Sequence, residues 1–115
     1  MLATIMGLAL DLPSSLITHG ALALDLTRYR VLLNGQPLAL LYREYALLVY
    51  LVMRVGRVVS RRQLLEEALG RHDLGGLRMV DEHLRHLKNV LEREGRSFIE
   101  VVGDAGYRFE PSVSV

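Results

Sequence analysis

Cysteine is absent from these 115 residues, which rules out a disulfide framework and any zinc site built on thiolates. Lysine is almost absent as well. Lys88 is the only one among 14 basic residues, so positive charge rests on guanidinium, the group suited to bidentate contact with phosphate and guanine. No run of about 20 uninterrupted apolar residues occurs: the most apolar helix candidate, 38–55, is broken by Arg43, Glu44 and Arg54. The start lacks a basic segment and is interrupted by Asp11, so neither a signal peptide nor a membrane partner is expected. Missing too are a Gly-rich phosphate loop, a nucleophile elbow and a convincing carboxylate pair, the usual marks of an enzyme.

What is present is a chain of single-domain length, half hydrophobic and 23% charged, a balance that argues against disorder. Net charge is only +1, but arginines cluster locally at Arg54, Arg57, Arg61 and Arg62, and basic residues again at Arg85, Lys88, Arg93 and Arg96. Such local crowding, more than the total, bears on nucleic-acid binding.

Alternation marks the first 40 residues as strands. Leu22, Leu24 and Leu26 fall on every second position, as do Tyr29, Val31 and Leu33 in a second candidate, 28–33, so each set shares a strand face. Asn34-Gly35 then signals a tight hairpin, with 37–40 returning. The peptide LALDL occurs at 8–12 and 22–26; the first copy, within 1–14, is read as an added strand or arm ahead of a domain over 15–115.

From Tyr42 the period turns helical. Leu41, Tyr45, Leu48 and Val52 form a stripe, and Gly56 fits a C-terminal cap. A second helix over 60–69 opens on Ser60 and Gln63, a capping box, and closes at Gly70. A loop with two adjacent glycines, Gly75 and Gly76, precedes the third helix, near 77–94. There Leu77, Val80, Leu84, Leu87 and Leu91 gather in one sector, opposite Arg78, Glu82, Arg85, His86, Asn89 and Arg93. Strand patterning resumes at 98–102, and 103–106 turns it back through Tyr107, Arg108 and Phe109. A short helix, a turn, a longer helix with a polar outer face and a closing hairpin is winged helix-turn-helix order.

In that order and spacing the sequence resembles the OmpR/PhoB-type winged-helix family, the effector domains of bacterial two-component response regulators. The resemblance covers about residues 15–111. It is carried by Leu24-Asp25, 28–31 and 35–40, then Glu44-Tyr45 with Leu47-Leu48. It continues through 56–61 with Leu64, 78–83 with Leu87, and finally Ile99, Val102 and 106–109. It implies an α+β fold: an N-terminal antiparallel sheet, three helices and a C-terminal wing. The implied activity is sequence-specific binding of double-stranded DNA in transcription regulation, in the cytoplasm and without a cofactor. The third helix would lie in the major groove. By the same likeness Arg78 and Arg85 fall at backbone-contact positions, Glu82 and His86 at base edges, and Lys88 where a basic contact is usual. With them go Asn89 and Arg108. Ser60, with Arg61 and Arg62, marks a phosphate site at a helix start. The loop Arg71, His72, Asp73 and Leu74 is where RNA polymerase contact is implied, and pairing of two copies on tandem half-sites is the usual arrangement.

Departures from the family are specific. Leu41 replaces the Thr that would cap the first helix with Glu44, so that cap is expected to be lost. Gly103 and Asp104 replace the wing's usual Arg and Gly, and the Asp104 carboxylate should repel phosphate. Glu82 and His86 replace more common small apolar and Arg residues. Two rivals stand beside the duplex reading. A winged-helix module can bind protein instead of DNA, which the near-neutral charge favours. His83 and His86, three apart on one helix with Asp81, Glu82 and His72 nearby in sequence, could share a zinc ion, but a partly buried, hydrogen-bonded His83 accounts for them better, so no metal is expected.

Overall fold

Alternation decides the first sheet. In this computed structural model, described over residues 15–93 and 95–111, four antiparallel strands lie in the order β1-β2-β3-β4: β1 (Leu16–His19), β2 (Leu22–Asp25), β3 (Arg30–Leu33) and β4 (Gln36–Pro37). Leu22 faces Leu33 and Leu24 faces Val31 across the β2–β3 ladder, and all four are buried. Leu26 lies beyond the end of β2. The hairpin at Asn34-Gly35 is present, both residues at positive φ (53° and 78°). Two expectations need correction. The strand begins at Arg30, because the Asp25 carboxylate accepts the Thr27 and Arg28 N–H groups and holds a turn there. Tyr29, at φ 53° and 64% exposed, therefore does not share the Val31 face. The returning strand is also shorter than 37–40, although Leu38 N–H still reaches the Val31 carbonyl. β1, which the sequence did not single out, pairs with β2. The proposed arm over 1–14 lies outside the described residues.

The chain forms two compact units, Met1–Ala39, which contains this sheet, and Leu40–Val115. In the second, α1 (Tyr42–Val52) buries Tyr45, Leu48 and Val52 as the stripe requires, together with Leu47, Tyr50 and Leu51. Leu41 precedes the helix and is exposed. Its backbone N–H is nevertheless capped by Glu44 Oε1 at 3.1 Å, so half of the box survives and only the part needing a side-chain oxygen is gone. Gly56 lies beyond the helix end; its N–H donates to the Phe109 carbonyl at 2.9 Å. That bond leads into β5 (Val58–Val59), a strand too short for periodicity to reveal, which completes a sheet in the order β5-β7-β6 with β6 (Ile99–Val102) and β7 (Gly106–Phe109).

The second helix, α2, starts as expected. Gln63 N–H donates to Ser60 Oγ at 3.0 Å and Ser60 N–H to Gln63 Oε1 at 3.2 Å. After Arg61–Gln63 it widens into a π-helical turn, Leu64–Ala68, and Leu69 N–H closes on the Leu64 carbonyl at 3.2 Å. Gly70 ends it at φ 66°. The third helix, α3 (Gly75–Leu91), starts earlier than 77, inside the stretch read as loop. Gly76 sits in its first turn: a Cβ there would stand 2.5 Å from Leu65 Cδ1, so a hydrogen at this position lets α3 approach the turn of α2. Val80, Leu84, Leu87 and Leu91 are buried, Leu77 is half-buried, and Val90 joins them. With Phe98, Ile99 and Phe109 they form the core of this unit, each large side chain contributing about 1.5–3 kcal/mol on burial.

Candidate nucleic-acid interface

Because the leucines of α3 face the core, its opposite side is fixed outward. Arg78, Glu82, Arg85, His86 and Asn89 are all exposed. Among the described residues neither Arg78 nor Arg85 has an ion pair. Arg85 and Asn89 border a groove of about 420 Å³ whose walls also include Arg61, Lys88, Val101 and Tyr107, with Asp81 and Leu84. Three cationic side chains thus border it against one carboxylate. The wing supplies one wall, since Val101 belongs to β6 and Tyr107 to β7.

Asp81 organises that wall. Its Oδ1 accepts from Arg61 Nε at 2.7 Å and from the Tyr107 hydroxyl at 2.6 Å, joining α2, α3 and β7 at one atom. Burial, reinforced by the bond to Asp81, pushes the Tyr107 hydroxyl up to about 12, so it remains a donor. The bond to Asp81 likewise raises the Arg61 guanidinium above its ordinary value. Arg61 also reaches the Asp104 carbonyl, at 3.4 Å, tying the turn of the wing to the start of α2.

Several residues expected at the interface have partners within the fold. Arg62 pairs with Glu66 at 3.5 Å. Arg108 places two nitrogens on Glu100 Oε1, at 3.0 and 2.6 Å. Lys88 Nζ donates to Glu92 Oε1 at 2.6 Å and to the Ile99 carbonyl at 2.8 Å, clamping the end of α3 to β6. Ser60 Oγ serves the capping box. In the loop, Arg71 lies against Asp73 at 2.9 Å and the Met79 sulfur at 3.0 Å, His72 is exposed 3.8 Å from Glu66, and Leu74 is 75% exposed. His86 Nδ1 lies 2.7 Å from Glu44 Oε2, and His83 Nδ1 3.4 Å from the same oxygen. Among the described residues no group of three or more His, Cys, Asp or Glu side chains is arranged to hold a metal ion, and no helix is long and apolar enough to cross a membrane.

Three residues organise the site in roles not read from the sequence: Asp81 as the acceptor for Arg61 and Tyr107, Glu44 as the partner of the histidines, and Glu92. Glu92 lies between α3 and β6 and takes Lys88 on one oxygen and the Phe98 and Ile99 N–H groups, at 2.9 and 3.0 Å, on the other. Burial raises the Glu92 carboxyl, but these three donors outweigh it and hold it below its usual 4.5. A carboxyl lowered in the folded state contributes stability that is complete above the unfolded value and disappears as pH falls through the folded one. Urea unfolding should therefore show stability falling below about pH 4.5, with Glu92→Gln lowering the neutral value by about 1–2 kcal/mol and flattening the acid limb. An acid limb of unchanged steepness in the variant would exclude this role for Glu92.

The arrangement matches known proteins. The family model described as "Transcriptional regulatory protein, C terminal" matches residues 35–109. The transcriptional regulatory protein YclJ of Bacillus subtilis is 42% identical over 81 residues, 70% of this chain and 36% of that protein. The chain spans less than two fifths of the length of the curated relatives it matches. The DNA-binding domain of CpxR from E. coli superposes with a TM-score of 0.75 at 28% identity, covering 87% of this chain and 100% of that one. The Klebsiella pneumoniae RstA DNA-binding domain, solved in complex with the RstA box, gives 0.74 at 28% identity over 84% and 98% of the two chains. With its winged helix and a family match over most of its length, the chain belongs to the transcriptional regulatory protein C-terminal domains of OmpR/PhoB type.

Proposed function

We propose that this chain binds double-stranded DNA sequence-specifically as the effector domain of a two-component-type response regulator in the bacterial cytoplasm. The observation that carries this reading is the outer face of α3, where Arg78, Glu82, Arg85, His86 and Asn89 stand exposed beside a groove bordered by Arg61, Arg85 and Lys88. A helix about 10–12 Å across fits the major groove of B-DNA. In that position Arg78 and Arg85 meet phosphates, while Glu82, His86 and Asn89 face base edges. Lys88, Arg61, Arg62 and Arg108, held by carboxylates of the fold, contribute positive potential, and Ser60 borders the backbone at the start of α2. Internal pairing reduces the number of cations available for phosphate, so the salt dependence is modest for a DNA-binding domain. The exposed loop of Arg71, His72, Asp73 and Leu74 is offered to RNA polymerase, and two copies occupy tandem half-sites.

Selection from a random duplex library, run at two salt concentrations, tests the reading. An enriched motif whose affinity falls with salt is expected, because binding to phosphate releases counterions. Retention of no DNA at either concentration would reject it and favour a protein partner in place of the duplex.

A further inference from the structure

Glu44 is 2% exposed and divides its two oxygens between two elements. Oε1 accepts the Leu41 N–H at the start of α1, whereas Oε2 lies 2.7 and 3.4 Å from the Nδ1 atoms of His86 and His83 on α3. Burial raises the carboxyl, but the Leu41 N–H and both imidazoles outweigh it and keep it below the usual carboxylate value. Ionised, it can only accept, so the Nδ1 atom of His86 facing it carries a hydrogen. A neutral imidazole holds one ring hydrogen. With Nδ1 protonated, Nε2 is therefore a bare lone pair.

The His86 side chain is 55% exposed, so the ring is anchored on its inner side and open on the other. Glu82, one turn earlier on the same helix face, is exposed too and is also an acceptor. We infer that Glu44 is a positioning residue that holds the neutral His86 ring in its Nδ1–H form, so that in that state His86 reads an exocyclic amino group in the major groove, cytosine N4 or adenine N6, and not guanine. This rests on the duplex reading above. It also reverses what the side-chain type alone suggests, that His86 donates to guanine N7 or O6. Cytosine and adenine are the bases that present N–H donors in the major groove, while guanine presents only acceptors there. A carboxylate and a bare imidazole nitrogen one turn apart therefore select two amino-bearing bases and repel guanine at both positions.

The tautomer is measurable without DNA. Nitrogen-15 correlation spectra of the histidine rings, recorded near pH 8.5, above the range in which imidazoles ordinarily titrate, should show His86 Nε2 without hydrogen and Nδ1 with it. A dominant Nε2–H form would overturn the inference. With selected duplexes at the same pH, replacing the amino-bearing base opposite His86 by guanine should cost wild type about three- to tenfold in affinity, and His86→Ala should lose that discrimination. A preference for guanine in wild type would contradict it. Glu44→Gln, whose amide can donate to Nδ1, should convert His86 to the Nε2–H form and move the preference toward guanine; should that variant not fold, the wild-type spectrum and base series still decide. Failure to bind any duplex, with the bare Nε2 signal intact, would remove the DNA reading and this role with it while leaving the tautomer standing, so the two failures are distinguishable.

Discussion

Gly106→Ala should destabilise the domain by about 3 kcal/mol or more, the largest stability loss expected from any single methyl group here. Gly106 opens β7 at φ 138°, a backbone conformation that side chains rarely adopt, and a Cβ on it would stand 2.1 Å from the Val59 carbonyl oxygen and 2.8 Å from Ser60 Cα. Both obstacles are backbone, so no rotamer change relieves them. The same contact holds β7 against β5 and the start of α2, so relief by movement would carry the wing off α2. Tyr107 would then leave Asp81, and the groove beside α3 would lose its wall. Urea unfolding measures the first effect, and the Tyr107 hydroxyl signal reports the second. Stability within about 0.5 kcal/mol of wild type would mean that the β5–β7 junction is far looser than its geometry indicates.

The second large effect concerns binding. Arg78 and Arg85, the two arginines of the α3 outer face that lack an ion pair among the described residues, can meet phosphate without first leaving a carboxylate. Replacing both with alanine should weaken binding to every duplex by about 10–100-fold, specific or not, and should lower the slope of log affinity against log salt by about 2. Arg62→Ala or Arg108→Ala, which remove charges already neutralised by Glu66 and Glu100, should change the slope by less than half a unit each. A double variant that loses one sequence while keeping others would instead place these arginines at bases.

How much of this was legible before the structure depends on distance along the chain. The alternation of Leu22 with Leu24 and of Val31 with Leu33, the Asn34-Gly35 turn, the Ser60–Gln63 box and the stripe of α3 all arise from residues within about a turn or a strand of one another, and they stand in the fold as read, whereas Leu26 and Tyr29 fall outside their strands. The departures depend on remote partners. Gly75 and Gly76 look like loop in sequence, yet both belong to α3, and Gly76 is buried against Leu65, eleven residues earlier. The two-residue β5 exists only because β7 pairs with it. The π turn of α2 carries no local signature. In the site, the outward face of α3 followed from periodicity alone, but the partners of its side chains did not. Glu44 lies 39 and 42 residues from His83 and His86. One clue was available, since Glu44 precedes Leu47 and Leu48 by three and four residues and so falls on the apolar side of α1, where a carboxylate requires donors.

The central claim is that a duplex meets the outer face of α3. Titrating an isotopically labelled domain with a selected duplex tests it directly, residue by residue. With the duplex on that face, the largest shifts fall at Arg78, Glu82, Arg85, His86 and Asn89, with smaller ones at Ser60 and along the wing. Shifts concentrated at Arg71–Leu74 or around Leu41 and Tyr42, with the α3 face unchanged, would contradict it.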